Sequence, residues 1–419
     1  MTLNQLTRAR ETTTVNLDYD VAIAGGSIVG TTLAAALKNS GLKVVIIEAL
    51  PQEVATKRRQ AYALSLLSGK IFTGIGVWDD ILPKIAQFRQ IRLSDADYPE
   101  IVKFQTTDLK TSDLKTSALG YVAEHGTVLS SLHEFTAECD NITWLSPAEV
   151  VQVDYHESDV EIEVKLNGEI RKLRSRLLVG ADGKRSRIRT EAGIQTRGWK
   201  YWQSCVTFTI KHSAPTNDTA FERFWYSGPM GVLPLPGNRC QIVWTSPHAE
   251  AKILKELPAD EFLAKLEQRL GGLLGEIELS GDRYLFPVQL MQSDRYTKPR
   301  LALIGDAAHC CHPVGGQGLN LGIRDAAALA QILREAHNQG EDIGDLTILK
   351  RYERWRKLEN LTILGFTDFL DRFFSNKFLP FVILRRCGLW LMNHLYPLKI
   401  FSLKLMTGLL GKKPQLAQH

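Results

Sequence analysis

The hexapeptide at residues 25–30 has the residue types and spacing of a turn that binds a dinucleotide. It reads Gly25-Gly26-Ser27-Ile28-Val29-Gly30. In such a turn the first glycine permits a tight exit from a strand, and the last lets the following helix pack closely on that strand. The helix N-terminus then offers unpaired N–H groups and a positive dipole end to the phosphates. We therefore predict dinucleotide binding, against the simpler alternative of an unliganded glycine turn.

The residues around this turn refine the prediction. Glu48, 18 residues beyond Gly30, is placed to accept hydrogen bonds from the adenosine ribose hydroxyls. Ser27 replaces the usual middle glycine; it adds volume beside the pyrophosphate, but its hydroxyl can donate to it. A P-loop would need lysine where Thr31 stands, and a nucleophile elbow around Ser27 would need glycine in place of Val29. Both of these sites are therefore excluded.

Two further glycine motifs each follow a predicted strand. Gly180-Ala181-Asp182-Gly183 comes directly after Leu177–Val179. Leu303-Ile304-Gly305-Asp306-Ala307-Ala308-His309 precedes Pro313 and the run Gly315-Gly316-Gln317-Gly318-Leu319-Asn320. A glycine-rich turn that opens a helix places N–H groups beside an anionic group. Without a ligand, Asp306 would be a helix cap or turn residue, the glycine run a plain loop, and residues 182–183 a turn after a strand.

Together the three motifs resemble those of the group A flavoprotein aromatic hydroxylases, the para-hydroxybenzoate hydroxylase-like monooxygenases. The resemblance spans residues 18–340 and keeps the family's order and similar spacing. Within the family the chain is most similar to the ubiquinone-biosynthesis hydroxylase branch. The stretches that carry this finer resemblance are Ala61-Tyr62-Ala63-Leu64, Gly76-Val77-Trp78, Leu119-Gly120-Tyr121-Val122-Ala123-Glu124, Glu222-Arg223-Phe224 and Leu233-Pro234-Leu235.

The resemblance implies that the dinucleotide is FAD. Asp306 would bond the ribityl chain, and Pro313 would lie beside the reactive C4a edge of the flavin. The backbone of residues 315–320 would form a cradle along the pyrophosphate and ring, where the helix dipole would stabilise the anionic reduced flavin by about 0.3–2 kcal/mol. Asp182 and Gly183 would serve both FAD and the pyridine nucleotide.

One flavin contact departs from the family pattern. The arginine that usually precedes the Ala63-Leu64 pair is replaced by Gln60, and the neighbouring arginines are shifted by one or two positions. Arg59, with Arg58 beside it, is the candidate for the missing contact.

The activity that the resemblance implies is FAD-dependent monooxygenation. NAD(P)H would reduce the flavin as a transient co-substrate, because the chain has one complete nucleotide-binding unit, and O2 would add at C4a. The C4a-hydroperoxyflavin would hydroxylate an electron-rich phenol, predicted to be a prenylated quinone precursor. The sequence places no general base. The alternatives are a prenyl reductase or cyclase, a halogenase (whose Trp-x-Trp-x-Ile-Pro stretch is absent) and a non-catalytic prenyl-binding escort resembling the GDP-dissociation inhibitors.

Two other groups of residues could suggest a binding site, but neither leads to such a prediction. Residues 309–312 read His309-Cys310-Cys311-His312, but four contiguous side chains do not easily converge on one tetrahedral ion, so no metal is predicted. Trp225 and Trp244 are predicted to face the core of a sheet rather than line a substrate cavity.

These motifs require alternating strands and helices. The strand Asp20–Ala24, a helix that ends at Gly41 and the strand Leu42–Ile47 predict one parallel strand-helix-strand unit. Residues 61–90 have a helical pattern, 90–104 and 161–165 alternate as strands do, and 105–120 form a polar loop. Aromatic and β-branched runs with turn signals between about 199 and 290 predict a separate sheet. Helices follow at 319–337 and beyond 345.

The resulting fold class is α/β, with three parts. A Rossmann-like FAD-binding domain with a parallel sheet comprises residues 1–80, 105–198 and 285–345. An inserted, mainly antiparallel substrate-binding sheet domain comprises residues 81–104 and 199–284. Residues 346–419 form a helical C-terminal segment.

The charge of the chain is unevenly distributed. Its composition, 44% hydrophobic and 23% charged, is that of a globular protein, and a net charge of +5 argues against nucleic acid as a partner. Residues 376–419 contain seven basic residues and no acidic one, whereas the first 375 residues carry 44 basic and 46 acidic. This aromatic-rich tail predicts either a peripheral membrane contact through residues 376–413 or a helical cap on the body with a solvated basic face.

The sequence also predicts where the protein works. Six cysteines without a framework spacing indicate a reducing compartment. The first 18 residues read as a loose polar arm without a secretory signal, and no run of about 18 apolar residues occurs. We therefore predict a cytoplasmic protein, either free or peripheral on the inner face of a membrane, and make no prediction of oligomeric state.

Overall fold

The computed structural model describes residues 17–95, 98, 101–109 and 117–418. The predicted polar arm, up to residue 16, and residues 110–116 of the predicted loop lie outside this range. The described strands are β1 (Tyr19–Ala24), β2 (Val44–Ile47), β3 (Ala61–Ser65), β4 (Ala86–Phe88), β5 (Gln90–Asp95), β6 (Ile101–Gln105), β7 (Gly120–Glu124), β8 (Ile142–Leu145), β9 (Ala148–Tyr155), β10 (Val160–Leu166), β11 (Glu169–Gly180), β12 (Thr196–His212), β13 (Thr219–Phe224), β14 (Met230–Leu235), β15 (Arg239–Pro247), β16 (Ile277–Leu279), β17 (Tyr284–Ser293), β18 (Thr297–Lys298), β19 (Leu301–Leu303) and β20 (His309–Cys310).

The longest described helices lie in the second half of the chain. They are α1 (Ile28–Ala36), α2 (Gln52–Ala55), α3 (Leu66–Ile75), α4 (Trp78–Ile81), α5 (His125–Ala137), α6 (Arg187–Glu191), α7 (His248–Glu256), α8 (Ala259–Leu270), α9 (Gln317–Asn338), α10 (Leu346–Phe374), α11 (Leu379–His394) and α12 (Tyr396–Met406). Short 3-10 turns occur at Leu82–Lys84, Thr106–Leu109, Gly305–Ala307, Val314–Gly316 and Gln415–Ala417.

The first sheet has the parallel centre that the opening motif predicts. β1 pairs in parallel with β2 on one side and with β11 on the other, and β11 pairs in parallel with β19. The order is β18-β19-β11-β1-β2-β8, and β10 and β9 continue it antiparallel from the long strand β11. The predicted strand-helix-strand unit β1-α1-β2 is confirmed.

Helix α1 ends earlier than predicted. Its last residue is Ala36, and the Ser40 hydroxyl donates to the carbonyl of Leu37 at 2.6 Å while Asn39 adopts φ 55°. Because the chain already turns at these residues, Gly41, with φ 80°, leads into β2 rather than capping the helix.

The prediction of helix over residues 61–90 is wrong at both ends of that range. Residues 61–65 form β3 and 86–88 form β4, and both pair antiparallel with β7 in a three-stranded sheet. Between them only α3 and α4 are α-helical. The pairing partner lies more than thirty residues away from either strand, so local periodicity does not encode it.

The second sheet corresponds to the separate, mainly antiparallel sheet that the sequence predicts. Its order is β20-β17-β12-β15-β14-β13-β5-β6, with β16 beside β12, and among these pairs only β13 and β5 run parallel. Helices α7 and α8, which the sequence analysis did not anticipate, cover one face, where Phe262 packs against Phe208 and Trp244. Trp244 therefore faces the core as predicted, and the half-buried Trp225 lies 5.1 Å from the Arg269 guanidinium.

The C-terminal helices are tied to the body by buried ion pairs. Arg356 of α10 lies 2.8 Å from Asp325 of α9, and Arg385 of α11 lies 2.9 Å from Asp95 at the end of β5. All four side chains are almost completely buried. None of the described helices combines the length and the apolar composition that crossing a membrane requires.

Candidate active site

The first glycine turn has the close approaches that its sequence predicts. Gly25 has φ 109°, and a side chain there would lie 2.5 Å from the carbonyl oxygen of Ala181. A side chain on Gly30 would overlap the carbonyl oxygen of Gly25. Ser27 precedes α1 without capping it by its side chain and lines the main cavity together with Ile28 and Val29. The Ser27 hydroxyl is therefore available to a phosphate.

Glu48 closes β2 beside this turn. Its Oε2 accepts a hydrogen bond from the N–H of Gly26 at 2.7 Å, and its Oε1 accepts one from the N–H of Leu50 at 2.9 Å. Both oxygens are thus oriented by the backbone, and each retains a second lone pair that can accept a ribose hydroxyl.

The second motif forms a turn beside the cavity. Asp182 Oδ2 accepts a hydrogen bond from the N–H of Ile188 at 3.2 Å and so supports the start of α6. Gly183, with φ 81°, lines the cavity with Ala181 and Lys184, and nothing lies within 4 Å of the place where its side chain would be. In this motif the backbone faces the cavity while the Asp182 carboxylate supports the turn.

Asp306 lies where the third motif enters the cavity. It follows β19 and Gly305, whose φ of 57° and close approach to Val29 (3.2 Å for an added side chain) bring this turn against the first one. Among the described residues no hydrogen bond reaches the Asp306 carboxylate, which is exposed to the cavity. The protein around it raises its pKa by desolvation, although His309 and Lys184 oppose this effect.

The glycine run forms a cradle that opens α9. Gly315 and Gly316 both have positive φ, 70° and 61°. Pro313 and residues 314–320 all line the cavity. The Asn320 amide donates to the carbonyls of Ala63 (2.8 Å) and Gly316 (2.7 Å), so its side chain braces the cradle from behind. The backbone of residues 315–319 is thus presented to the cavity.

Arg59, the candidate for the missing flavin contact, does not line the cavity. Arg58 and Arg59 are both exposed, but Arg59 lies toward Gly281, outside the cavity lining, whereas Arg58 and Gln60 line the cavity. Neighbouring residues that lead into β3 point in opposite directions, so a shift of one position exchanges an inward for an outward side chain. Of the two arginines, Arg58 is therefore the one whose side chain reaches the cavity.

Two aromatic groups stand beside Arg58. Tyr62 donates its hydroxyl proton to Gln60 Oε1 at 3.0 Å, and burial, assisted by Asp306, raises the pKa of Tyr62 to about 12. Burial, assisted by Arg58, lowers the pKa of His125 to about 4. Both side chains are therefore neutral near pH 7.

The motifs surround one cavity of about 1260 Å³. One wall is the first turn, the cradle and β3; the opposite wall is the face of the second sheet that α7 and α8 leave uncovered. Beyond the cradle the lining becomes apolar, contributed chiefly by α10, α11 and α12. The volume exceeds the roughly 300–1,000 Å³ that holds one drug-sized ligand, so it accommodates more than a ring system.

The His-Cys-Cys-His segment is occupied by other contacts. His309 Nε2 lies 2.6 Å from Asp325 Oδ2, and this carboxylate also pairs with Arg356. Burial alone would raise the pKa of Asp325, but His309 and Arg356 hold it below its usual value. Burial lowers the pKa of His312 to about 3. Within the described ranges no three His, Cys, Asp or Glu side chains are grouped to hold a metal ion.

Glu222 is a candidate functional residue that the sequence alone does not indicate. Glu222 of β13 lines the cavity, and its Oε2 accepts a hydrogen bond from the N–H of Gly315 at 3.3 Å. The Glu222-Arg223-Phe224 stretch was visible as part of a resemblance, but nothing in the sequence indicated that this carboxylate meets the cradle 93 residues away.

Comparisons with known proteins agree with this geometry. The model of a family described as "FAD binding domain" matches residues 18–361. An uncharacterized protein of Synechocystis sp. is 57% identical over 399 residues, 95% of each chain. The ubiquinone hydroxylase UbiL of Rhodospirillum rubrum is 35% identical over 399 residues, 94% of this chain and 91% of its own. The crystal structure of p-nitrophenol 4-monooxygenase PnpA from Pseudomonas putida covers 94% of this chain and 99% of its own with a TM-score of 0.79 at 18% identity, which shows the shared fold.

Proposed function

The chain belongs to the family of FAD-dependent aromatic monooxygenases of the ubiquinone-hydroxylase type, and we propose that it hydroxylates a prenylated phenol on the way to a quinone. One observation supports this proposal above the others. A single cavity joins the glycine cradle to a long apolar compartment under α10–α12. A ring placed at the cradle would extend a prenyl chain into that compartment.

The residues around the cavity suit FAD. The first turn offers the α1 N-terminus and the Ser27 hydroxyl to the pyrophosphate, and Glu48 is oriented for the adenosine ribose. The unpaired Asp306 carboxylate can accept ribityl hydroxyls, and the first N–H groups of α9, at residues 317–319, can donate to the ring. Arg58 adds a positive charge on the β3 side. When bound, the flavin supplies electron transfer from NAD(P)H and the activation of O2.

The proposed reaction consumes NAD(P)H and O2. One oxygen atom enters the aromatic C–H bond, and the other leaves as water, which takes two electrons and one proton from the hydride of NAD(P)H and one further proton from solvent. The activation of O2 would follow the hydroperoxide route that the resemblance implies. The described residues contribute binding, orientation and the exclusion of water by an apolar lining.

We further propose that each sheet has its own task. The first and the three-stranded sheets form the FAD-binding domain, and the second sheet forms the substrate domain. β4 belongs to the FAD-binding side because it pairs with β7, although it falls within the range 81–104 that the sequence analysis gave to the substrate domain. The C-terminal helices close the cavity between the domains.

The apolar compartment is lined almost entirely by side chains that suit a prenyl chain. From α10 come Phe366, Phe369, Leu370, Phe373 and Phe374; from α11 and α12 come Phe381, Leu384, Leu389, Met392, Leu398, Phe401, Leu405 and Met406. The one charged residue these helices contribute within the described lining is Arg385, which Asp95 pairs at 2.9 Å. A phenol without a prenyl chain would leave this compartment unfilled and would make no contact with its apolar side chains.

We also propose that the C-terminal helices rest on an anionic membrane. Beyond the residues that line the cavity, Phe378, Leu379, Ile383 and Trp390 expose 46–66% of their surface. This apolar surface is accompanied by lysines, although Lys399 pairs with Asp108 at 3.0 Å and so contributes less charge than the sequence suggests. Contact with a membrane would bring the compartment next to the phase in which prenylated compounds dissolve.

Oxygen dependence distinguishes a hydroxylase from a prenyl reductase. The purified flavoprotein should oxidise NADH or NADPH faster when 2-geranylphenol is added in air, and should form a catechol or hydroquinone. A reductase would consume NAD(P)H with the same substrate equally well under nitrogen, and that result would reject the proposed function.

A further inference from the structure

Glu222 lies where the second sheet meets the glycine cradle. Glu222 belongs to β13, which lies between β14 and β5. In these two strands the residues paired with Glu222 are Gly231 and Leu93. The hydrogen bond from Gly315 holds Glu222 Oε2 at the end of the cavity that contains Pro313. Of the charged side chains in the described lining, Glu222 is the one that the second sheet contributes.

The carboxylate has open space around it. Gly231 has no side chain, and one added there would lie 3.8 Å from Glu222 Oε2. Gly315 has nothing within 4 Å of the position of an added side chain, so the space in front of the cradle is also open. Because Gly315 occupies only Oε2, Oε1 can accept a hydrogen bond from a ligand.

We propose that Glu222 accepts the proton of the substrate's phenolic hydroxyl while the ring is hydroxylated. This inference rests on the proposed function. The phenolic O–H bond breaks, an O–H bond forms on the Glu222 carboxylate, and the electron pair remains on the phenolic oxygen. That pair raises the electron density of the ring carbons ortho and para to it, which are the positions that attack electrophilic oxygen. After oxygen transfer the carboxyl group returns the proton to the oxygen of the product.

The protonation of Glu222 suits this role near neutral pH. Burial raises the pKa of Glu222 to about 7, and the hydrogen bond from Gly315 opposes that rise. The other titratable groups of the described lining are Arg58, Tyr62, His125, Lys184, Asp306, Cys310, Cys311 and Arg385, and none of these eight is hydrogen-bonded to Glu222. Below its pKa the carboxyl group is already protonated and cannot accept a proton, so the rate should fall on the acid side.

The Glu222→Gln variant tests the proton transfer. Its amide oxygen can still accept from Gly315, so the cradle should persist and flavin content should stay at the wild-type level, but the amide cannot take a proton. We expect kcat for the hydroxylation of 2-geranylphenol to fall about 100-fold. The decline of kcat at acid pH, the acid limb, should also disappear from the kcat–pH profile. Glu222→Asp should keep that limb at an intermediate rate. The matched control is Glu278→Gln, an exposed residue of β16 in the same sheet, which should behave as wild type.

Ligand binding to the oxidised holoenzyme gives a second readout that needs no turnover. Flavin absorbance changes report the affinities of 2-geranylphenol and of its O-methyl ether, which has no proton to donate. The wild type should prefer the phenol about tenfold above pH 7, and Glu222→Gln should lose most of this preference.

Either readout can overturn the proposal on its own. An acid limb that persists in Glu222→Gln, a limb that is lost in Glu222→Asp, or a phenol preference that survives the Gln substitution would each reject Glu222 as the proton acceptor. A wild type that binds 2-geranylphenol but forms no hydroxylated product would instead reject the proposed function. The phenol preference would then still decide whether Glu222 contacts the hydroxyl.

Discussion

The backbone N–H of Ser65 and the side chain of Asn320 are joined by a 2.8 Å hydrogen bond across 255 residues of sequence. The same Asn320 Oδ1 accepts the hydroxyl of Ser68 at 2.7 Å, while the amide nitrogen donates to Ala63 and Gly316. Every polar position of this buried side chain is therefore used to fasten β3 and the start of α3 to the glycine cradle. The two walls of the flavin end of the cavity behave as one unit.

Asn320→Ala should loosen both walls together. Without this side chain, the N–H of Ser65, the Ser68 hydroxyl and two backbone carbonyls lose their hydrogen-bond partners. This loss should lower the free energy of unfolding by about 2–4 kcal/mol. Thermal unfolding should show this loss, and FAD should dissociate more readily on dilution. The control is Asn338→Ala at the exposed end of the same helix, which should change neither quantity. Equal stability of the two variants would contradict the bracing role.

Asp306→Ala should weaken FAD retention. The carboxylate faces the cavity without a protein partner, so its loss removes an acceptor for the ribityl chain while disturbing no described hydrogen bond. A hydrogen bond to a charged group contributes about 1.5–3 kcal/mol, which corresponds to a rise in the FAD dissociation constant of about ten- to a hundredfold. Flavin fluorescence during titration of the apoprotein measures it. Unchanged affinity would reject the ribityl contact.

The two adjacent arginines should differ in their effect on flavin binding. Arg58→Ala removes a cationic side chain that lines the cavity and should weaken FAD binding several-fold, whereas Arg59→Ala changes a residue outside the cavity lining and should leave FAD binding unaltered. The same titration compares them. If Arg59→Ala is the damaging substitution, Arg59 rather than Arg58 makes the flavin contact.

Replacing exposed apolar residues at the start of α11, together with Phe378 just before it, should release the protein from membranes. The triple substitution Phe378→Ser, Leu379→Ser and Ile383→Ser removes three side chains exposed by 54–66% that do not line the cavity. Co-flotation with vesicles of phosphatidylglycerol and phosphatidylcholine should fall at least tenfold, because each buried apolar side chain contributes about 1.5–3 kcal/mol. Ile253→Ser, on α7 and 60% exposed, is the control and should bind as wild type. Wild type that remains free of such vesicles would favour the helical-cap alternative.

The sequence predicts the parts of the candidate site that depend on the conformation of neighbouring backbone residues. The turn at residues 25–30 needs a strand, a helix and glycines at fixed spacing, and each of these is written in neighbouring residues. Asp306 likewise lies at the cavity because it directly follows a buried strand and precedes a glycine-rich helix start.

The sequence was insufficient where a side chain's task depends on a distant partner. Glu222 contacts Gly315 only because the fold brings β13 next to the glycine cradle. Arg58 and Arg59 are equivalent in sequence, and the direction of each is set by the entry into β3, which pairs with β7. Asn320 was expected to offer its backbone to a ligand, and nothing nearby indicated that its side chain reaches Ser65.

The fate of the oxygen atom tests the central claim most directly. The purified holoenzyme is incubated with NADPH and 2-geranylphenol under isotopically labelled O2, and the product is examined by mass spectrometry. Monooxygenation predicts one labelled oxygen atom in each hydroxylated product molecule, with the other recovered in water. A product that carries oxygen only from water, or NADPH oxidation without any oxygenated product, would contradict it.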